Sequence, residues 1–183
     1  MDTGWKSPSA TGRIINQWTN PANAYADNAS YATGQDNQWQ SYENFGFNIP
    51  DGSTVDGVEA RVEWYQQDVL SADNYLSYYL NSTAGQSGLK IPGLSTSLTL
   101  YVVGGATDLW TASPVLSDFD DVNFSLRVRL GDVGTIVYMD YVQVKIYYTE
   151  ATSIKSWNGL AKASIKSING LAIASIKSIN GLA

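Results

Sequence analysis

Residues 58–65 read VEARVEWY, a strict alternation that puts Val58, Ala60, Val62 and Trp64 on one side of an extended chain. Successive side chains of a β-strand point to opposite faces, so this period of two predicts a strand with one buried face and one wet face. Half-buried strands of this kind are typical of antiparallel sheets. The stretch therefore indicates an antiparallel β protein.

The same period recurs along the rest of residues 1–150. Clusters of Gly, Pro, Asn, Asp and Ser separate the extended stretches, as turns require, and no stretch has a helical period. Besides 58–65, strands are predicted at residues 13–18, 39–49, 75–80, 95–103, 124–130 and 142–148. About seven short strands with near-regular turns predict an all-β fold, with an antiparallel β-sandwich or jelly-roll-like body over residues 1–150.

Composition limits the chemistry that the chain can perform. Its 183 residues suit one domain with a sizeable core, and 44% are hydrophobic while 15% are charged. There is no cysteine and no histidine, which excludes thiolate nucleophiles, Cys/His zinc sites and His-based general bases. No cofactor is predicted, and we expect a protein that is not an enzyme.

Charge is divided unevenly along the chain. Residues 1–150 hold all 17 acidic groups and seven of the 11 basic ones, whereas residues 151–183 hold four lysines and no acid. An acidic body repels nucleic acid, so no nucleic-acid partner is expected. No stretch approaches the roughly 20 apolar residues of a membrane helix, and the first residues lack the features of a signal peptide. We therefore expect no membrane partner. The start is typical of a protein made in the cytosol, although a secreted protein numbered after removal of its signal peptide also fits.

The most specific feature is a repeat of 11 residues over 151–183. Residues 153–163 read SIKSWNGLAKA, residues 164–174 read SIKSINGLAIA and residues 175–183 read SIKSINGLA. An 11-residue period suits a right-handed helical supercoil. However, the Asn-Gly pair in each copy would lie inside that helix, where glycine alone costs about 1 kcal/mol, and Asn-Gly is a strong hairpin signal. A β-structured repeat segment is favoured, with a disordered low-complexity tail as the alternative.

Each copy is too short to bury a core alone, because an isolated hairpin is marginal in water. Its recurring apolar residues would be exposed unless they pack against copies from other subunits or against a partner. We therefore predict that residues 151–183 form an oligomerisation tail, with a trimer as the expected assembly. The predicted interface residues are Ile154, Trp157, Leu160, Ile165, Ile168, Leu171, Ile176 and Ile179.

Two sets of acidic residues are candidates for catalysis or for metal binding. Glu59 and Glu63 share one strand face with Arg61 between them, which suits a glycosidase carboxylate pair but equally suits a solvated strand face. Asp118, Asp120 and Asp121, with Asn123, offer oxygen ligands that calcium prefers, although aspartate-rich turns also cap strands without metal. For both sets the interpretation without catalysis or metal binding is favoured, so no catalytic, cofactor-binding or metal residues are predicted.

Aromatic side chains are the candidates for ligand contact. They could stack on sugar rings, although such side chains also fill sandwich cores, and Trp64 lies on the apolar face of its strand. Trp157 occupies the repeat position of Ile168 and Ile179, so we expect it to pack where they do. The candidate set is Trp5, Trp18, Trp39, Trp64, Trp110 and Trp157 with Tyr75, Tyr78 and Tyr79.

Several stretches resemble a pattern in phage virion and related surface β-domain proteins. They are PANA at 21–24 with Asp27, FGFNIPDG at 45–52, VDGV at 55–58, GGATDLW at 104–110, residues 120–124 and MDYVQV at 139–144. The tail resembles the IKxxNGxA repeats at the ends of many phage structural proteins. The resemblance implies a virion surface component, such as a capsid decoration protein, head fibre or tail fibre. It implies no catalytic residue.

The leading hypothesis is thus a non-catalytic virion structural protein that assembles through its C-terminal repeats. Its expected partners are copies of itself and other virion proteins. The alternative is a carbohydrate-binding adhesin or receptor-binding fibre module, whose partner would be a host-surface glycan. A third hypothesis, a carboxylate glycosidase, predicts that Glu59→Gln abolishes hydrolysis.

Overall fold

The computed structural model describes residues 1–68, 74–80, 85–131, 134 and 136–151, together with four dipeptides of the repeat segment at 156–157, 160–161, 167–168 and 171–172. The chain divides into two compact units, Met1–Thr149 and Glu150–Ala183. Helix within the described parts is limited to two 3₁₀ turns, Pro21–Ala24 and Leu116–Phe119. None of these described helices is long and apolar enough to span a membrane.

The first unit consists of two antiparallel sheets. Its strands are β1 (Ala10–Asn16), β2 (Ala32–Gly34), β3 (Trp39–Glu43), β4 (Thr54–Gln66), β5 (Tyr75–Leu80), β6 (Gly85–Gln86), β7 (Thr99–Gly104), β8 (Phe124–Arg129) and β9 (Val137–Thr149). One sheet has the order β1-β3-β8-β5-β6 and the other has the order β2-β9-β4-β7. The long pair β4 and β9 forms the centre of the four-stranded sheet.

The core lies between the two sheets. Val58, Ala60, Val62 and Trp64 of β4 are fully buried, as the alternation of this stretch predicted. They belong to one hydrophobic cluster with buried side chains of the other sheet, including Leu126 of β8. Burying both inner faces against each other is what stabilises a sandwich. The predicted antiparallel β-sandwich is confirmed.

The long strand β9 has one edge that several short segments share. β2 pairs with its first part, from Ala32 opposite Met139 to Gly34 opposite Val137. Further along, the N-terminal segment pairs with it, since the Lys6 N–H donates to the Val144 carbonyl at 2.8 Å. Covering an edge in this way satisfies backbone groups that would otherwise be open to pairing with another chain.

Some predicted strand limits are wrong for identifiable reasons. The strand predicted at 39–49 ends at Glu43, because Asn44, Gly46 and Asn48 adopt left-handed conformations with φ of 57°, 61° and 53°. A left-handed residue turns the chain out of the extended ladder. The first strand begins three residues earlier than predicted, and the strand predicted at 95–103 begins at Thr99. β2 and β6 were not predicted.

The repeat segment contains the same two-strand unit in two successive copies. β10 (Ser156–Trp157) pairs antiparallel with β11 (Leu160–Ala161), and β12 (Ser167–Ile168) pairs with β13 (Leu171–Ala172). In both copies the residue before Asn-Gly pairs with the residue after it, which confirms the β-structured repeat. The helical interpretation is therefore wrong at these residues.

The predicted tail interface stays a prediction. The structure gives only the backbone of Trp157, Leu160, Ile168 and Leu171. The other four predicted interface residues lie outside the described residues: Ile154, Ile165, Ile176 and Ile179.

Candidate functional site

Nine side chains share the outward face of the five-stranded sheet, on its three central strands β3, β8 and β5. Residues paired across antiparallel strands point to the same side, so the strand register assigns them to three rows. We call this surface the arginine face; its rows are Trp39–Arg129–Tyr75, Ser41–Arg127–Ser77 and Glu43–Ser125–Tyr79.

Both arginines of this face lie against aromatic rings. The guanidinium carbon of Arg129 is 5.2 Å from the ring centroid of Trp39 and 5.5 Å from that of Tyr75. The guanidinium carbon of Arg127 is 4.1 Å from the ring centroid of Tyr79. All three rings are partly exposed. Cation–π contact holds each guanidinium over a ring and leaves its N–H donors directed away from it.

Neither guanidinium has a hydrogen bond or an ion pair with any residue that the structure describes. Their Nε atoms are buried and have no acceptor among those residues. Burial lowers the pKa of Arg127, while Tyr79 and Glu43 act in the opposite direction. Arginine nevertheless stays charged in proteins, so both side chains present a positive charge with unused donors.

The middle of the arginine face is recessed, because its central residues have small side chains. Ser41, Ser77 and Ser125 are buried beneath the larger side chains around them. Beside them, between β1 and β3, lies a cavity of about 190 Å³ lined by Ile14, Ile15, Trp39 and Arg127. The surface thus combines aromatic rings, charged donors and an apolar recess at one place.

Glu43 is the acidic member of this face and is only 1% exposed. Its Oε2 accepts a long hydrogen bond of 3.4 Å from the Arg13 backbone N–H, and its Oε1 has no partner among the described residues. The Arg13 guanidinium crosses the same end of the face and donates to the Phe124 carbonyl and the Ser125 hydroxyl. The carboxylate is therefore shielded from solvent, whereas the arginines are not.

The aromatic candidates divide into core and surface residues. Trp18, Trp64, Trp110 and Tyr78 are buried in the core, which confirms the core assignment of Trp64. Trp39, Tyr75 and Tyr79 meet on the arginine face. The remaining two are Trp5, which lies over Arg61 and Lys145 on the outer face of the other sheet, and Trp157, whose side chain is not described.

The two carboxylates of the candidate glycosidase pair, Glu59 and Glu63, have different neighbours in the structure. Glu59 forms an ion pair with Lys145 at 2.7 Å and accepts a hydrogen bond from the Tyr147 hydroxyl at 2.9 Å. Glu63 instead lies near Asp27 and Asp140, with carboxylate oxygens within 4.8 Å of one another. Paired carboxylates of a glycosidase need a shared cleft, and the contacts of these two residues assign Glu59 to an ion-pair network instead.

Asp27, Glu63 and Asp140 form the group whose oxygens could hold a hard cation such as calcium. Asp140 is buried, and its carboxylate accepts backbone hydrogen bonds from Asn28 and Ala29 at 3.2 and 3.3 Å. Burial and the two neighbouring aspartates raise the pKa of Glu63. No local pattern in the sequence marks this group. The pairing of β4 with β9 brings Glu63 near Asp140, and the bridge between Tyr25 and Tyr141 brings the segment of Asp27 to β9.

The aspartates considered for calcium have other roles. Asp118 is buried and accepts from the Val115 backbone N–H at 2.8 Å, and Asp121 accepts from the Gly46 N–H at 2.8 Å. Asn123 donates to the Ser117 carbonyl. These bonds hold turns together at one end of the sandwich. Asp120 and Asp121 also line a groove of about 650 Å³ there.

No family model and no curated protein matches this chain. Among solved structures it is similar to the xylohexaose-bound CBM22-1–GH10 modules of Clostridium thermocellum xylanase 10B, at 15% identity and TM-score 0.44, covering 87% of this chain and 28% of that one. It is also similar to the CBM22-1 xylan-binding domain of Paenibacillus barcinonensis Xyn10C, at 8% identity and TM-score 0.43, covering 81% and 88%.

A third similar structure is the C-terminal CBM6 of the Zobellia galactanivorans laminarinase LamC, at 9% identity and TM-score 0.40, covering 78% of this chain and 97% of that one. Likeness at this level bears on neither ligand nor activity. A ligand for this chain is therefore inferred from the side chains of the arginine face.

Proposed function

We propose that the body of this chain is a non-catalytic carbohydrate-binding module and that its arginine face binds the saccharide. The observation that carries the proposal is the row Trp39–Arg129–Tyr75. It sets two partly exposed rings on either side of a guanidinium that has no acceptor among the described residues. Tyr79 and Arg127 extend the same arrangement by one more ring and one more charge.

A sugar is a ligand that matches both parts of this surface. Its ring has apolar C–H faces that stack on aromatic side chains, and its rim carries oxygen acceptors for guanidinium donors. The rings and the guanidiniums stand on three hydrogen-bonded strands, so their spacing is set before a ligand arrives. Such preorganisation reduces the entropy that binding would otherwise lose.

Stability alone gives no reason for this arrangement. A cation–π contact at an exposed site contributes about 0.5–1 kcal/mol. A buried donor without an acceptor costs about 1–3 kcal/mol, and both Nε atoms are such donors. Folded proteins hold few unsatisfied buried groups, and each one calls for an explanation such as an ordered water or a ligand.

The test is the binding of the full chain to a panel of oligosaccharides, measured by calorimetry. The panel first identifies a saccharide that the native chain binds. Trp39→Ala should bind that saccharide about tenfold more weakly or worse, since the substitution removes an aromatic ring on which the sugar stacks. Trp5→Ala is the matched control, because Trp5 also covers an arginine and a lysine but on the other sheet. Equal losses from both substitutions, or no saccharide bound by the native chain, would contradict the proposal.

We also propose that the repeat segment assembles subunits, as expected for a virion surface protein. The observation that favours it is the same strand pair in two successive copies, Trp157 opposite Leu160 and Ile168 opposite Leu171. Two-residue strands are too short to be stable alone, and packing against copies of themselves would supply the missing contacts.

Light scattering on the full chain and on a version ending at Glu150 tests this second proposal. The full chain should be a defined oligomer, with a trimer expected, and the shortened chain a folded monomer. Equal masses per chain would contradict assembly by the repeats. Because the arginine face lies on the body, saccharide binding by the shortened chain should be retained, with only its avidity reduced.

A further inference from the structure

The arginine face differs in charge from the rest of the body. Residues 1–150 hold 17 acidic groups and seven basic ones. On the nine residues of the arginine face, however, two arginines stand against one carboxylate, that of Glu43. The guanidinium of Arg13 reaches the same end of the face through Ser125. A positive surface on an acidic body requires a local explanation.

Other basic side chains of the body have partners. Lys90 forms an ion pair with Asp108, and Lys145 forms one with Glu59. The Arg61 guanidinium donates to the Gln143 side-chain carbonyl. By contrast, Arg127 and Arg129 have neither an ion pair nor a hydrogen bond among the described residues. Lys90, Lys145 and Arg61 thus have hydrogen-bonding partners, whereas Arg127 and Arg129 have none among the described residues.

Glu43 attracts Arg127 through space, which works against the lowering of the Arg127 pKa by burial, but it does not pair with either arginine. It is 1% exposed and forms no ion pair with either arginine, and its one hydrogen bond comes from a backbone N–H. Arg127 and Arg129 are two residues apart on β8, so they project from the same side of the strand about 7 Å apart along it. The face therefore presents two guanidiniums next to each other, with aromatic rings on both sides.

From this geometry we infer that the saccharide is anionic, with carboxylate or sulfate groups that Arg127 and Arg129 bind; the inference rests on the proposed carbohydrate function. The planar fork of a guanidinium matches two oxygens of a carboxylate or sulfate, and such charge-assisted bonds are about twice as strong as neutral ones. Neutral hydroxyls would satisfy single N–H groups without using either the fork or the charge. Stacking of the sugar on Trp39 and Tyr79 then orients the acidic groups toward the arginines.

The experiment compares two forms of one sugar chain on the full protein. A galacturonic acid oligosaccharide is the acidic probe, and its methyl ester is the neutral control with the same rings. Losing a hydrogen bond to a charged group costs about 1.5–3 kcal/mol, so the acid should bind at least about tenfold more tightly than the ester. Its affinity should fall as sodium chloride is raised, because exposed charges are screened by salt. A sulfated oligosaccharide identifies which anion is preferred.

Variants assign the effect to the site. Arg129→Gln should weaken binding of the acid by about tenfold more than it weakens binding of the ester, because only the acid loses a charge-assisted bond. Arg127→Lys, which keeps the charge and removes the fork, should lose part of the affinity. Arg61→Gln is the matched control, since it removes one charge from the outer face of the other sheet. The lysines of the repeat segment are unchanged in all three proteins, so general attraction to the tail cancels.

Each outcome separates the inference from the proposed function. Preference for the acid that Arg129→Gln removes and Arg61→Gln preserves supports both. Equal or tighter binding of the neutral ester overturns the anionic inference, while saccharide binding stands. Equal losses from Arg129→Gln and Arg61→Gln also overturn it, because the attraction would then be general. If neither acidic, sulfated nor neutral sugar binds, both proposals fall.

Discussion

The outer faces of the two sheets are built from similar side chains but use them differently. On the four-stranded sheet, Arg61 lies against Trp5 and Tyr141 and donates to Gln143, and Lys145 is paired with Glu59. On the five-stranded sheet, Arg127 and Arg129 also lie against rings but have no acceptor among the described residues. The first face thus uses its cations in contacts within the fold, whereas the second leaves them without an acceptor among those residues, as the proposed saccharide binding requires.

The outer faces of the two sheets also differ in the side chains that lie over them. The N-terminal segment pairs along one edge of β9 and brings Trp5 over Arg61 and Lys145 on the outer face of the four-stranded sheet. The three central strands of the other sheet carry their own rings, and the small serines between them form its floor. A cation–π contact by itself therefore identifies no function, and the proposed saccharide binding rests on the hydrogen-bond donors that Arg127 and Arg129 leave unused.

The largest expected effect is on the outer face of the four-stranded sheet, where Lys145 is paired with Glu59. Glu59→Gln removes the carboxylate that pairs with the partly buried Lys145 and accepts from the Tyr147 hydroxyl. We expect the free energy of unfolding to fall by about 2 kcal/mol, because a partly buried ammonium loses its counter-charge. Denaturant unfolding at pH 7 measures this, with the exposed turn residue Asp51→Asn as control. A loss as small as that of Asp51→Asn would show that the ion pair does not stabilise the fold.

A smaller effect compares the two arginines directly. Arg61→Gln should lower the free energy of unfolding by about 1–2 kcal/mol, since it removes the hydrogen bond to Gln143 and two ring contacts. Arg129→Gln should change it by less than about 0.5 kcal/mol, because the loss of its two ring contacts is offset by removal of a buried Nε that has no acceptor among the described residues. The same unfolding assay applies to both variants. Equal destabilisation would remove the distinction between the faces.

The smallest effect depends on pH and concerns Glu63, which lies on the same side of β4 as Glu59 and Arg61. Burial, with Asp27 and Asp140, raises the pKa of Glu63 in the folded chain. Its charged form therefore costs the folded state stability at neutral pH, and that cost disappears as pH falls through the raised pKa. Glu63→Gln should stabilise the protein by about a few tenths of a kcal/mol at pH 7 and by nothing below about pH 4.

Unfolding of both proteins in EDTA across this pH range measures the effect. EDTA ensures that no added cation offsets the repulsion among the three carboxylates. A stabilisation that grows as pH falls would contradict the raised pKa of Glu63.

Most of the fold was open to prediction because its determinants are local. The alternation of residues 58–65 and the run at 142–148 identify β4 and β9 without any knowledge of their pairing. The Asn-Gly pairs likewise favour a hairpin over a helix in each repeat, as observed at Trp157 and Leu160. Strand ends were less predictable, because left-handed residues such as Asn44 end a strand that hydrophobicity alone would continue.

The sequence by itself determined the all-β class, the sandwich, the β-structured repeat, and the set of aromatic side chains from which a binding surface could be drawn. Only the tertiary structure decided which of those rings meet. Trp39, Tyr75, Arg127 and Arg129 come from three strands that are distant in the chain, and the register of β3, β8 and β5 makes them neighbours. The periodicity of a sequence predicts on which face of a sheet a side chain lies. Long-range strand pairing decides which other side chains lie next to it.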